Sequence, residues 1–171
     1  MKKLLILLLI VLFGCTLKSD HYKLSIDDYS VTVGYDKSKF LDIAYDFELP
    51  EKLQANETIN DVNIYLFDEL LGVGSFTNKK NSEISSDEAC LSSITVYLND
   101  LPNRVFKIND EPLDESIKTN CDKFNGKFIE KNGYACVIEN ENTSELNVIE
   151  LHGDYLNEDQ DLLDHITIYI K

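Results

Sequence analysis

Along residues 22–171 the apolar positions fall in two rhythms. The commoner is the short run rich in β-branched and aromatic residues, at 62–67, 73–77, 94–98, 148–152 and 166–170. Successive side chains of a strand point to opposite faces, so such runs read as half-buried strands. The second rhythm is helical. Leu113, Ile117, Cys121 and Phe124 lie on one side of a 3.6-residue spiral, whereas alternation would put Thr119 and Lys123 on that same face. Asn125-Gly126 follows as a C-terminal cap, so the spacing predicts a helix over 114–124. Asn132-Gly133 joins the runs 128–131 and 134–139 and predicts a tight hairpin, because Asn-Gly accepts the positive φ angles that such a turn requires. In the first half a short helix is expected at 36–44 and a hairpin from the runs 62–67 and 73–77.

Residues 84–98 align without a gap on residues 156–170, with identities at Asp87/Asp159, Leu91/Leu163, Ile94/Ile166, Thr95/Thr167 and Tyr97/Tyr169. Each copy opens like a capping box, Ser85 with Glu88 and Asn157 with Gln160, and then runs into a strand. The expected fold is therefore α+β. Two similar tandem units, 22–99 and 100–171, would each set a short helix against a small antiparallel sheet. The alternative is an all-β sandwich, favoured by the abundance of Val, Ile, Tyr, Phe and Thr and by the regular spacing of the strands.

Composition narrows the function classes. The chain has 171 residues, 31 acidic against 16 basic, with a net charge of −15. Nucleic acid is excluded as a partner, since phosphate binding needs a basic surface. The start of the chain carries an address: Met1-Lys2-Lys3, an apolar run from Leu4 to Phe13, Gly14 and Cys15. Ten apolar residues at about 1.5 Å each cover roughly half of a ~30 Å hydrocarbon core, the length of a secretion signal and not of a spanning helix. Leu12-Phe13-Gly14-Cys15 resembles the lipobox of bacterial lipoproteins. The resemblance implies that Cys15 is lipidated and that residues 1–14 are removed as a signal peptide. It further implies that residues 15–21 form a short tether holding the protein to the cell membrane on the extracytoplasmic side. Residues 22–171 carry no family motif.

Three cysteines follow Cys15. Cys90 aligns with Leu162 in the repeat and reads as a core thiol. Cys121 and Cys136 are a candidate disulfide: on a helix and a hairpin strand they can meet in the core. If Asn125-Gly126 instead turned a three-stranded meander, the two sulfurs would point to opposite faces and could not join. No His or Asn constellation accompanies any thiol, so no catalytic residue is assigned. Asp154, Asn157, Glu158, Asp159, Asp161 and Asp164 form an acidic cluster whose spacing resembles the first half of an EF-hand loop. Leu162 and Ile168 stand where that loop needs Gly and Glu. His21, His152 and His165 show no ligand spacing, and Gly72-Val73-Gly74 lacks the third Gly of a dinucleotide loop. Neither a metal nor a cofactor is expected.

One pattern recurs three times: Ile59-x-x-Val62-x-Ile64-Tyr65-Leu66, Leu91-x-x-Ile94-x-Val96-Tyr97-Leu98 and Leu163-x-x-Ile166-x-Ile168-Tyr169-Ile170. Aliphatics occupy one strand face and Tyr65, Tyr97 and Tyr169 the other, making the tyrosines a candidate binding surface beside Thr95 and Thr167. The expected function is a lipid-anchored, non-enzymatic surface protein that binds another protein or an envelope component. The alternative is an envelope enzyme or metal-binding module using the cluster Asp154 to Asp164.

Overall fold

In a computed structural model the chain is described over residues 23–31, 33–34, 49–66, 68–130, 134–139, 147–153 and 161–170. The lipobox with Cys15, the helix expected at 36–44, the Asn132-Gly133 turn and the acidic residues 154–160 lie outside these residues. The first hairpin is β1 (Leu24–Ile26) and β2 (Tyr29–Val31); β3 (Lys52–Leu53) follows. Next come β4 (Thr58–Leu66), β5 (Glu69–Thr77), β6 (Ile84–Ser85), a 3₁₀ turn at Ser86–Glu88 and β7 (Cys90–Tyr97). The remainder is β8 (Phe106–Ile108), β9 (Glu111–Pro112), the helix α1 (Ile117–Lys123), β10 (Lys127–Ile129), β11 (Ala135–Glu139), β12 (Asn147–Gly153) and β13 (Leu163–Ile170).

These strands form a seven-stranded antiparallel sheet in the order β10-β11-β12-β13-β7-β5-β4, a four-stranded sheet β2-β1-β8-β9, and the pair β3-β6. The α+β expectation is thereby corrected: the protein is mostly β, as the all-β alternative had it. Among the described residues the one α-helix has seven residues, about two turns, too few to form a layer over a sheet. The physical reason is sequence economy. Among the described residues one short amphipathic stretch supplies a helix, whereas period-two runs supply long strands whose aliphatic faces need each other. Stretches 22–99 and 100–171 share both larger sheets, because β7 pairs with β13 and β1 with β8.

The register of these shared pairs gives the fold its symmetry. Thr95 faces Thr167, its own mate in the repeat, flanked by Ile94 opposite Ile168 and Val96 opposite Ile166. A local two-fold axis therefore passes between the two threonines. It relates β7 to β13, β5 to β12 and β4 to β11, while β10 adds an extra strand to one end. The small sheet repeats the device: Ser25 faces Lys107, between Leu24 opposite Ile108 and Ile26 opposite Phe106. Its bonds are reciprocal. The Asp27 N–H donates to the Val105 carbonyl at 2.7 Å and the Asn109 N–H to that of Lys23 at 2.9 Å. In return the N–H groups of Val105 and Lys23 donate to Asp27 Oδ1 and Asn109 Oδ1, each at 2.9 Å. Asp27 and Asn109 both have positive φ, 54° and 51°, a conformation that short polar side chains tolerate.

Burial follows the alternation. Ile94, Val96, Ile166 and Ile168 of the large sheet, Leu24, Ile26, Phe106 and Ile108 of the small one, and Ile117 of α1 join one core. Each fully buried aliphatic contributes about 1.5–3 kcal/mol, so the sheets hold one another. The helix is capped at both ends. Ser116 Oγ accepts from the Thr119 N–H at 3.1 Å, and Asp161 adds its Oδ1 to the Lys118 N–H at 2.9 Å. At the other end Asn125 has φ 54°, and the Gly126 N–H returns to the Cys121 carbonyl at 2.8 Å, satisfying a terminal acceptor. Ser85 makes no side-chain cap bond to the 3₁₀ turn, so the capping box expected there is not formed.

Candidate functional site

The face of the large sheet opposite the core is built around the two-fold axis. Because Ile94, Val96, Ile166 and Ile168 point inward, Ser93, Thr95 and Tyr97 of β7 and His165, Thr167 and Tyr169 of β13 must point outward. β12 contributes Glu150 and His152 to the same face, opposite Thr167 and His165. All eight side chains are half-buried. At the centre the hydroxyls of Thr95 and Thr167 share a hydrogen bond of 3.0 Å.

Beside that centre a polar string runs across the strands. Asn99 Nδ2 donates to Asp164 Oδ1 at 2.7 Å, and the other oxygen of Asp164 lies 2.8 Å from His165 Nδ1. The His165 ring stacks on that of His152, centroids 4.7 Å apart and 11° from parallel. His152 Nε2 is 3.1 Å from Glu150 Oε2, and Glu150 Oε1 accepts from Tyr169 OH at 2.8 Å. Tyr97 flanks the string, its ring centroid 6.0 Å from that of His165.

The electrostatics follow from these contacts. Burial and then the neighbouring His165 push the His152 imidazole below its ordinary pKa, and Glu150 opposes the shift. Burial first, then the hydrogen bond and charge of Glu150, push the Tyr169 phenol up to about 12. At neutral pH the tyrosine is therefore a donor, and His152 is held uncharged against a carboxylate. A neutral imidazole beside a carboxylate can accept a proton, but covalent catalysis needs a nucleophile within its reach. The threonine hydroxyls here bond to each other, and the Cys90 thiol is buried, 3.7 Å from the Leu91 carbonyl oxygen. Among the described residues no group of three or more His, Cys, Asp or Glu is arranged to hold a metal ion.

Tyr97 and Tyr169, proposed from the repeated pattern, lie on adjacent strands and on this face, at opposite ends of the shared ladder: Tyr97 faces His165 and Tyr169 faces Ser93. Tyr65 is separate from them. It sits on β4 opposite Leu70, with β5 between β4 and β7. Cys121 and Cys136 are joined by a disulfide on the core side, their Cα atoms 5.5 Å apart, tying α1 to β11. A Cβ at Gly126 would press on both sulfurs, so glycine leaves the space the bridge occupies. Of the acidic cluster, Asp161 caps the helix and also accepts from Ser116 Oγ at 2.7 Å, and Asp164 belongs to the polar string.

The histidine pair was missed by sequence reasoning. His152 and His165 are thirteen positions apart, a spacing with no meaning until β12 and β13 pair in the register that makes them partners. The available signal was that His152 ends one run expected to be a strand and His165 immediately precedes another. No family model, characterised protein or solved structure matches the chain.

Proposed function

We propose that this protein is a lipid-anchored binding module on the extracytoplasmic side of a bacterial cell membrane, and that it works without catalysis. Its partner is another protein or an envelope component, engaged through the face that carries Tyr97 and Tyr169. The observation that carries the reading is that face itself: two stiff, half-polar rings, two threonines and two imidazoles, half-buried around a symmetric centre. Aromatic and hydroxyl side chains on rigid strands lose little freedom on binding, which is why recognition surfaces use them. The lipobox supplies the anchor. The Cys121–Cys136 bridge agrees with an oxidising location, where such bonds persist. The oxygens of Asp161 and Asp164 are engaged in capping α1 and in the polar string, which favours a scaffolding use of the acidic cluster over a catalytic one.

Two experiments test this. Cys15→Ser should give a protein that keeps residues 1–14 and carries no lipid by mass spectrometry; a processed, membrane-held variant would overturn the anchor. A Tyr97→Ser/Tyr169→Ser double variant with an unchanged unfolding midpoint should lose capture of partners from an envelope extract. Capture equal to the parent's would remove the tyrosine face from the reading.

A further inference from the structure

A groove of about 400 Å³ opens beyond the Asn99 end of the polar string, between the loop after β7, the start of β8, and residues 113–115 and 162–163. Leu98, Leu101, Phe106 and Leu113 are among its lining residues. Val105 and Leu162 line it as well. They are the exposed large apolar side chains among the described residues, at 50% and 39%. Residues 62 to 66, 94 to 98 and 166 to 170 show how consistently this chain turns aliphatics inward, so two outward ones in a single concavity mark a surface built to be covered.

Charge selects the occupant. Arg104 stands in the wall, but its guanidinium is 3.0 Å from Asp27 and 2.8 Å from Glu69, which cancel it. The wall also carries Asp114 and Glu115, and Asn99 at its edge is bonded to Asp164. The whole chain adds −15. A cationic partner is drawn toward such a field and an anionic one is repelled.

We propose that this groove seats bulky aliphatic side chains from a lysine- or arginine-bearing segment of a partner protein, with the basic groups lying over Asp114 and Glu115. The groove is a second contact surface, separate from the tyrosine face, and rests on the binding reading only in taking a protein as the partner. The opening lies at the small end of the size range of ligand sites, which suits a few side chains of an extended segment.

The test uses the full chain in detergent micelles, with signal from micelles alone subtracted, and a short fluorescent peptide of alternating lysine and leucine as the probe. Anisotropy should show saturable binding, none with glutamate in place of lysine, and binding at least about tenfold weaker with serine in place of leucine. Val105→Ser/Leu162→Ser alters exposed side chains, so its unfolding midpoint should match the parent's while its affinity falls about tenfold. Tyr97→Ser/Tyr169→Ser should bind this probe as the parent does, which separates failure of the groove from failure of the tyrosine face. The inference is overturned by absence of lysine-leucine binding, by equal binding of the lysine-serine peptide, or by an unchanged affinity in the groove variant.

Discussion

Removing the bridge between Cys121 and Cys136 tests both the fold and the proposed location. The two residues are 15 positions apart, so the bond closes a short loop containing the last three residues of α1 and all of β10. In the chain-entropy treatment a loop of that size restricts the unfolded chain by about 3 kcal/mol. Ala at both positions leaves no unpaired thiol and adds only the smaller cost of the space that the two buried sulfurs vacate. The total sits against an ordinary domain stability of about 5–15 kcal/mol. With roughly 2–4 °C lost per kcal/mol in a chain of this size, the thermal midpoint should fall by about 6–12 °C. The assay is urea unfolding of Cys121→Ala/Cys136→Ala beside the parent with and without reductant. The reduced parent and the variant should lose a similar amount, and the parent denatured without reductant should show two fewer reactive thiols than the parent denatured with it. α1 has seven residues and a helix that short is not stable alone, so faster hydrogen exchange should be confined to α1 and β10. A loss under about 1 kcal/mol, or thiols that react freely in protein prepared from an oxidising compartment, would refute the reasoning.

Three further outcomes are expected. Asn78 is fully buried and donates to the carbonyls of Gln54 and Ser82, both at 2.8 Å, while accepting from the Lys80 N–H at 2.8 Å. Asn78→Leu keeps the number and branching of heavy atoms and orphans those groups, so denaturant unfolding should show a loss of about 2–4 kcal/mol, and a neutral result would show that water replaces the bonds. Gly72→Ala should destabilise more than Gly74→Ala in the same assay. A Cβ at Gly72 would overlap the Thr95 carbonyl of the neighbouring strand, whereas at Gly74 it meets the ends of the Ile64 and Leu91 side chains, which can turn away; the reverse order would contradict the β5–β7 register. For pH, the folded His152 imidazole binds its proton less readily than the unfolded one, whose value is about 6.5. The unfolded state then takes up more protons as pH falls below that value, and stability is present above it and lost below it. His152→Gln should therefore weaken the fall in urea midpoint between about pH 7.5 and pH 5.5, and parallel curves for parent and variant would exclude this histidine as the cause.

Local structure was legible wherever a short-range rule decides it. The runs at 62–67, 73–77, 94–98, 148–152 and 166–170 overlap β4, β5, β7, β12 and β13, because period-two burial is written in the residues themselves. The stretch expected to be helical at 114–124 contains α1, which starts at Ile117 because Ser116 is the cap. The sequence shows a repeat at 84–98 and 156–170. Its companion, Lys23-Leu-Ser-Ile-Asp27-Asp28 against Val105-Phe-Lys-Ile-Asn109-Asp110, is hidden in the sequence because its spacing differs from that of the first pair and only Ile and Asp are shared. The α+β expectation failed on proportion: a spacing can predict that a helix forms, but not that the strands around it will merge across the halves.

The sequence by itself determined the net charge, and it determined the strand faces, the C-terminal end of the helix and the lipobox pattern because each of these depends on neighbours a few residues away. Only the tertiary structure decided which strands became partners. That choice set Thr95 against Thr167, stacked His152 on His165, gathered Tyr97 and Tyr169 onto one face, and left Val105 and Leu162 together in one groove. Alternation fixes which side of a strand is buried and is indifferent to which aliphatic face it meets. Pairing is settled by the joint burial of all the faces at once, a quantity that no local stretch of residues contains.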